Sequence, residues 1–180
     1  MEIDGHIVSE TLTISAKLST AMKHLILSIM ILSSLFSAGS RDVKVYKGTS
    51  HYGSDVICTV KDSKVYKKTS IYSSDVICNI KGDRIYKGNG SYSSDMLYNI
   101  KDGKVYKGTG NYSSDIIMTI RDGKFFKGTS IYNSDVIANV KDGKVYSGTS
   151  SYNSDVEFSF DGNLTIEEFV AVWHAVKYSW

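Results

Sequence analysis

The sequence predicts a mainly β fold made of tandem 20-residue β-hairpin repeats, in a flower-like or solenoid arrangement, with one C-terminal amphipathic α-helix. Three observations predict it: a 20-residue period from Arg41 to Phe160, alternation of apolar and polar residues inside each copy, and a change to helical spacing after Asp161. Composition agrees with a folded chain. The 180 residues make one modest domain, and 42% hydrophobic with 22% charged residues excludes wholesale disorder. A net charge of +2 lacks the dense basic footprint of a nucleic-acid surface, so no nucleic-acid partner is expected. Pro is absent, where average usage would supply about nine, and Pro-rich linkers and polyproline ligand segments are thereby excluded.

In chain order, residues 22–40 come first as a signal peptide. Met22-Lys23-His24 supplies a basic start, Leu25 to Phe36 an apolar run, and Ser37-Ala38-Gly39-Ser40 the small residues of a cleavage site after Gly39 or Ser40. The apolar run is too short to span a bilayer comfortably. Gly39 stands where a lipoprotein would need its Cys, so no lipid anchor is expected. Residues 1–21, with Glu2, Asp4 and Glu10, read as an upstream extension ahead of a start at Met22. A buried N-terminal helix is the other reading of the segment. The expected location is therefore exported (periplasmic, cell-surface or secreted), with no membrane span after cleavage.

Residues 41–160 form the six-copy repeat body, with copies beginning at Arg41, Lys61, Lys81, Lys101, Arg121 and Lys141. Val56-Ile57-Cys58-Thr59-Val60 and its equivalents alternate with period two, which predicts a half-buried strand with Val56/Cys58/Val60 and Ile116/Met118/Ile120 on the core face. A second apolar pair, Val65-Tyr66, follows. Asp102-Gly103, Asp122-Gly123 and Asp142-Gly143 lie between the two runs and signal tight hairpin turns. A lone hairpin is unstable, so the hairpins must lie side by side or around an axis. Gly48, Gly88, Gly108, Gly128 and Gly148 mark loop positions needing positive φ, and Lys68 breaks that series, putting the second copy in doubt.

Residues 161–180 predict a capping helix of the same domain. Ile166, Phe169, Val170, Trp173, Val176 and Trp180 recur at helical spacing. Thr165 and Glu168 form a capping box, and Leu164 can staple onto Phe169. An isolated helix of this length is marginal in water, so it is expected to lie as a lid over the apolar end or face of the β body.

The repeat pattern KVYKGTSxYSSDVI and the ending DGNLTIEEFVAVWHAVKYSW resemble the bacterial four-fold beta flower proteins over residues 41–180. The resemblance implies a compact β fold with a terminal helix and an uncharacterised role, and it brings no catalytic residues. Six copies sit awkwardly with a four-fold arrangement, and an open solenoid remains the alternative.

Chemistry-bearing residues are few. The segment 157–168 imitates the second part of an EF-hand loop, with Gly162 at its sixth and Glu168 at its twelfth position, but Glu157 replaces the opening Asp and a strand precedes it. The recurring Asp55, Asp75, Asp95, Asp115, Asp135 and Asp155 each sit between Ser and a strand, where turn chemistry is the stronger reading than a metal site. No metal and no cofactor are expected. Behind the leader only His51 and His174 remain, and neither belongs to a nucleophilic constellation, so no catalytic residue is assigned and no enzyme is expected. Cys58 and Cys78 occupy equivalent positions. In a flat meander their Cα atoms would lie about 9.6 Å apart, beyond disulfide reach, which favours two buried free thiols. Tyr52, Tyr72, Tyr92, Tyr112, Tyr132 and Tyr152 recur in the loops and are the candidate ligand-binding residues. Aromatic faces stack on sugar rings, so a glycan or envelope component is the candidate partner, although rings that merely wedge the loops onto the hairpins are the blander expectation. The resulting expectation is an exported, non-enzymatic structural or interaction protein. The alternative is a multivalent glycan or cell-envelope binding module using those tyrosines.

Overall fold

A computed structural model describes residues 42–178. The expected signal peptide (22–40) and upstream extension (1–21), with Arg41, Ser179 and Trp180, lie outside the described residues. Twelve strands follow one another: β1 (Val43–Lys47), β2 (Val56–Lys61), β3 (Lys64–Lys67), β4 (Val76–Lys81), β5 (Arg84–Lys87), β6 (Met96–Lys101), β7 (Lys104–Lys107), β8 (Ile116–Arg121), β9 (Lys124–Lys127), β10 (Val136–Lys141), β11 (Lys144–Ser147) and β12 (Val156–Phe160). One α-helix among the described residues, α1 (Ile166–Tyr178), follows β12. Each strand pairs with its chain neighbours, and β1 pairs with β12, so the sheet closes into a barrel. Closure decides between the flower-like and solenoid arrangements in favour of the first. The symmetry is six-fold rather than four-fold, because six two-stranded units share one ring.

The tight turns are of the kind the Asp-Gly pairs predict. Asp102 and Gly103 have φ of 51° and 70°, the two positive values that let a two-residue turn match the twist of its strands. The first hairpin adopts the same turn with Asp62 and Ser63 at 49° and 57°, without glycine. Lys68 likewise takes φ 51° in the place of Gly48 and its equivalents, so the second copy folds like the others.

Residues directly opposite one another in a ladder point to the same face. Thr59 opposes Tyr66, and Tyr66 opposes Val76, whereas Cys58, Val60 and Val65 belong to the other, central face. The change of parity comes from a bulge between Val76 and Cys78, where Ile77 is the extra residue, and every copy repeats this shift. Val56 and Ile116 are therefore buried on the outer face and not in the central core, contrary to the strict alternation expected from sequence. What buries the outer face is the loop after each hairpin, folded back along it. Thr59 Oγ1 donates to the Lys68 carbonyl at 2.7 Å, and Asn139 Nδ2 donates to the carbonyls of Gly148 and Ser150 at 2.8 and 2.9 Å.

The first and last strands, β1 and β12, build the sixth hairpin. Val45, Tyr46 and Lys47 oppose Phe160, Ser159 and Phe158, which is the β3 on β2 register transposed by one repeat. Asp161 substitutes for the missing turn: its Oδ1 accepts the Lys44 N–H at 2.5 Å, its N–H donates to the Lys44 carbonyl at 3.1 Å, and its Oδ2 accepts the Tyr46 hydroxyl at 3.1 Å.

Gly162, at φ 103°, then turns the chain inward. The capping box forms as the sequence predicts, with the Thr165 N–H donating to Glu168 Oε2 at 3.0 Å and the Glu168 N–H to Thr165 Oγ1 at 3.2 Å. The helix is not a lid. Five consecutive residues, Phe169 to Trp173, are buried, which covers more than one full turn and so every side of the helix. The rings of Phe125 on β9 and Phe158 on β12 stack on Phe169, Tyr98 on β6 meets His174, and the Cys78 thiol on β4 lies 3.9 Å from the Ala171 carbonyl. These partners come from all round the ring, so α1 fills the barrel's interior. Twelve strands about 4.8 Å apart enclose a radius of about 9 Å or more, the distance at which a helix packs on a neighbour through one layer of side chains.

A helix has no six-fold symmetry, and the inner wall adapts to it. Position 58 and its equivalents read Cys58, Cys78, Tyr98, Met118, Ala138 and Phe158, small where α1 packs closest, on β2 to β5, and mostly larger elsewhere. Cys58 and Cys78 are buried free thiols, as the strand spacing predicts. Burial pushes the Cys78 thiol up to about 12, and the same cause raises Cys58.

Candidate functional site

Each loop is an eight-residue return whose rigidity comes from its own polar residues. In the first, Ser50 Oγ donates to Asp55 Oδ2 at 2.6 Å, accepts the Tyr52 N–H at 3.2 Å, and the Asp55 N–H donates to the Tyr52 carbonyl at 3.0 Å. The same clamp joins Ser70 to Asp75, Ser130 to Asp135 and Ser150 to Asp155. Gly110 lacks the hydroxyl, and there Asp115 itself accepts the Tyr112 N–H at 3.1 Å. A Cβ on Gly110 would come within 2.6 Å of Asp115 Cβ, so the carboxylate has moved into the space that a serine would need. The recurring aspartates are thus turn residues, as their sequence context predicts.

This internal clamping leaves the candidate tyrosines no structural task. Tyr52, Tyr72, Tyr92, Tyr112, Tyr132 and Tyr152 are 72–76% exposed. The expectation that they wedge the loops onto the hairpins is overturned: Tyr46, Tyr66, Tyr86 and Tyr146, six residues earlier, are the buried rings under the loops. The pseudo-six-fold axis spreads the outer tyrosines evenly round the barrel, one per pair of strands, so the structure brings them to one belt but not to one pocket. Ile71 and Ile131, beside Tyr72 and Tyr132, are also exposed and widen the apolar surface at two of the six places.

The residues of the EF-hand-like segment are otherwise engaged. Glu168 caps α1, Gly162 turns the chain, and Glu157 Oε2 lies 2.7 Å from Lys177 Nζ. Glu157 stands where the other copies carry Ile57, Ile77, Leu97, Ile117 and Ile137. This departure was the one sequence signal for a polar partner on the helix, and the sequence reading passed over it. Lys177 also lies 4.9 Å from the centre of the Trp173 ring.

His174 is half-buried, with Nδ1 2.9 Å from the Tyr98 hydroxyl. Burial, and then the charge of Lys87, holds its imidazole below the usual histidine range, while burial pushes Tyr98 up to about 12. His51 instead leans on Tyr46, with ring centres 5.5 Å apart. Neither histidine meets a nucleophile. Among the described residues, no three His, Cys, Asp or Glu side chains gather as metal ligands would.

In a comparison with known families, the profile of a family described as 6-fold beta flower protein matches residues 45–173. Neither a curated protein nor a solved structure matches the chain.

Proposed function

This chain belongs to the 6-fold beta flower family, and from that premise we propose that it is an exported, non-enzymatic interaction protein whose loop tyrosines bind glycan or cell-envelope polymer. The observation that carries the reading is the belt of six equivalent, solvent-facing tyrosines on clamped loops. Exposed aromatic faces lose water readily when a sugar ring stacks on them, and a pre-ordered loop loses little entropy on binding. One ring binds weakly. Neighbouring loops are two strands, about 10 Å, apart, so a polymer contacting two or three at once gains avidity from effective concentration.

The test is a peptidoglycan pull-down and glycan array with the protein and a variant carrying all six Tyr→Ser changes. Because the rings are exposed, the variant should melt like the parent, and its binding should fall at least tenfold. Undiminished binding by a folded variant would refute the tyrosine site. Export rests on the basic start and apolar run of residues 22–40, and sequencing the mature N-terminus tests it: a start near Ser40 or Arg41 supports export, an intact Met1 on a cytosolic protein overturns it.

A further inference from the structure

We propose that the mouth of the barrel at its loop end binds a small amphipathic anion, a medium-chain fatty carboxylate, with its tail beside α1 and its carboxylate at Lys107 and Lys127. Ladder register places the cations. Lys47, Lys67, Lys87, Lys107 and Lys127 oppose Phe158, Cys58, Cys78, Tyr98 and Met118, all on the central face, so five lysines ring the inner rim with Ser147 in the sixth place. None of the five forms an ion pair among the described residues, and at the turn end Lys61, Arg84 and Arg121 are the cations that do. The carboxylate nearest in sequence position on this face, Glu157, is held by Lys177, and the loop aspartates are tied to serine hydroxyls and backbone on the outside. Lys87 is felt by His174 inside the barrel, which agrees with a rim that faces inward.

The apolar half of the site follows from the off-centre seat of the helix. At one repeat position, Ile77 on the β4 side is 8% exposed and Ile117 on the β8 side is 39% exposed. Between the Ile117 side of the wall and α1 lies a cavity of about 280 Å³ lined by Tyr98, Ile117, Met118, Ile137 and Trp173 among others, with Lys177 the one cation of its lining. That volume suits a ligand on the order of ten non-hydrogen atoms, taking ~30 Å³ for each. Its wall residues Tyr98 and Met118 are those opposite Lys107 and Lys127 in the ladder, which puts these two lysines beyond the lining at its edge, while Lys177 within the lining is engaged by Glu157.

The experiment titrates octanoate, octan-1-ol and acetate into the protein by calorimetry, with the fluorescence of Trp173 in a Trp180→Phe background as a second readout. Octanoate should bind one to one, octan-1-ol at least tenfold more weakly, and acetate not measurably. Lys107→Gln with Lys127→Gln should weaken octanoate at least tenfold and leave octan-1-ol unchanged, and both lysines are exposed, so folding survives the change. Absent or non-saturable octanoate binding, equal binding of the alcohol, or octanoate binding unchanged in the double variant would each overturn the site. So would a mouth closed by a second copy of the chain, seen as self-association that octanoate does not reverse. The six Tyr→Ser variant should bind octanoate normally, which separates this proposal from the tyrosine belt.

Discussion

Replacing Phe169 with Ala tests whether α1 sits within the barrel. The ring is 5% exposed, stacks on Phe125 at 4.3 Å between centres, and lies 6.2 Å from Phe158 and 6.3 Å from Trp173. Truncating a buried Phe costs about 3–5 kcal/mol, and losing three aromatic neighbours, each pair worth about 0.5–1.5 kcal/mol, places the change in the upper half of that range. About 4 kcal/mol is a large share of a typical domain's stability and lowers the melting temperature by about 12 °C at this chain length. The matched control is Ile166→Ala on the same helix, where the side chain is 46% exposed and the loss should stay below about 0.5 kcal/mol. Urea unfolding followed by far-UV circular dichroism measures both, with an unchanged slope certifying that only stability moved. A Phe169→Ala cost under about 1.5 kcal/mol, or equal costs at the two positions, would mean that the helix lies on the barrel and not in it.

Lys68→Gly should raise stability by about 1 kcal/mol, because it relieves a left-handed conformation that the equivalent glycines adopt freely, and thermal melting reads it as about 3 °C. Lys177→Met should cost about 1 kcal/mol by leaving the shielded Glu157 carboxylate without its partner, and adding Glu157→Ile, the residue at four of the equivalent positions, should restore it in a double-mutant cycle. His174 has a folded pKa below its unfolded value, so the stability it contributes is present above pH 6.5 and is lost as pH falls toward the folded value. His174→Gln should flatten that part of the stability–pH curve, and an unchanged slope below pH 6.5 would count against the buried neutral imidazole.

Much of the architecture was local and hence readable along the chain. The 20-residue period, the Asp-Gly turns and the Thr165–Glu168 cap depend on residues within a few positions of one another, and each formed where the pattern put it. The serine and aspartate of each loop were legible as turn chemistry for the same reason. Alternation failed at Val56 because a bulge adds one residue to the strand and reverses the face of everything before it, a shift that leaves no mark in a period-two pattern. The lid failed because an apolar stripe through Phe169 and Trp173 draws the eye, while Ala171, Val172 and Ala175, fully buried on the remaining sides, carry too little hydrophobic area to announce burial.

What the sequence by itself determined is the unit of two strands and a Ser/Asp loop carrying a tyrosine, six times, with a tight turn inside each of five hairpins and a capped helix after the last. What only the tertiary structure decided is the ring. Closure joins β1 to β12 across more than a hundred residues, and no local preference encodes how many hairpins bring the last strand back to the first. That number sets the radius, the radius admits one helix, and the helix's asymmetry leaves a cavity on one side beneath a rim of lysines. The tyrosines were named from the sequence, but their exposure depended on a loop held down by other residues. The lysine rim could not be named at all, since the facing of each Lys follows from ladder register and not from its neighbours in the chain.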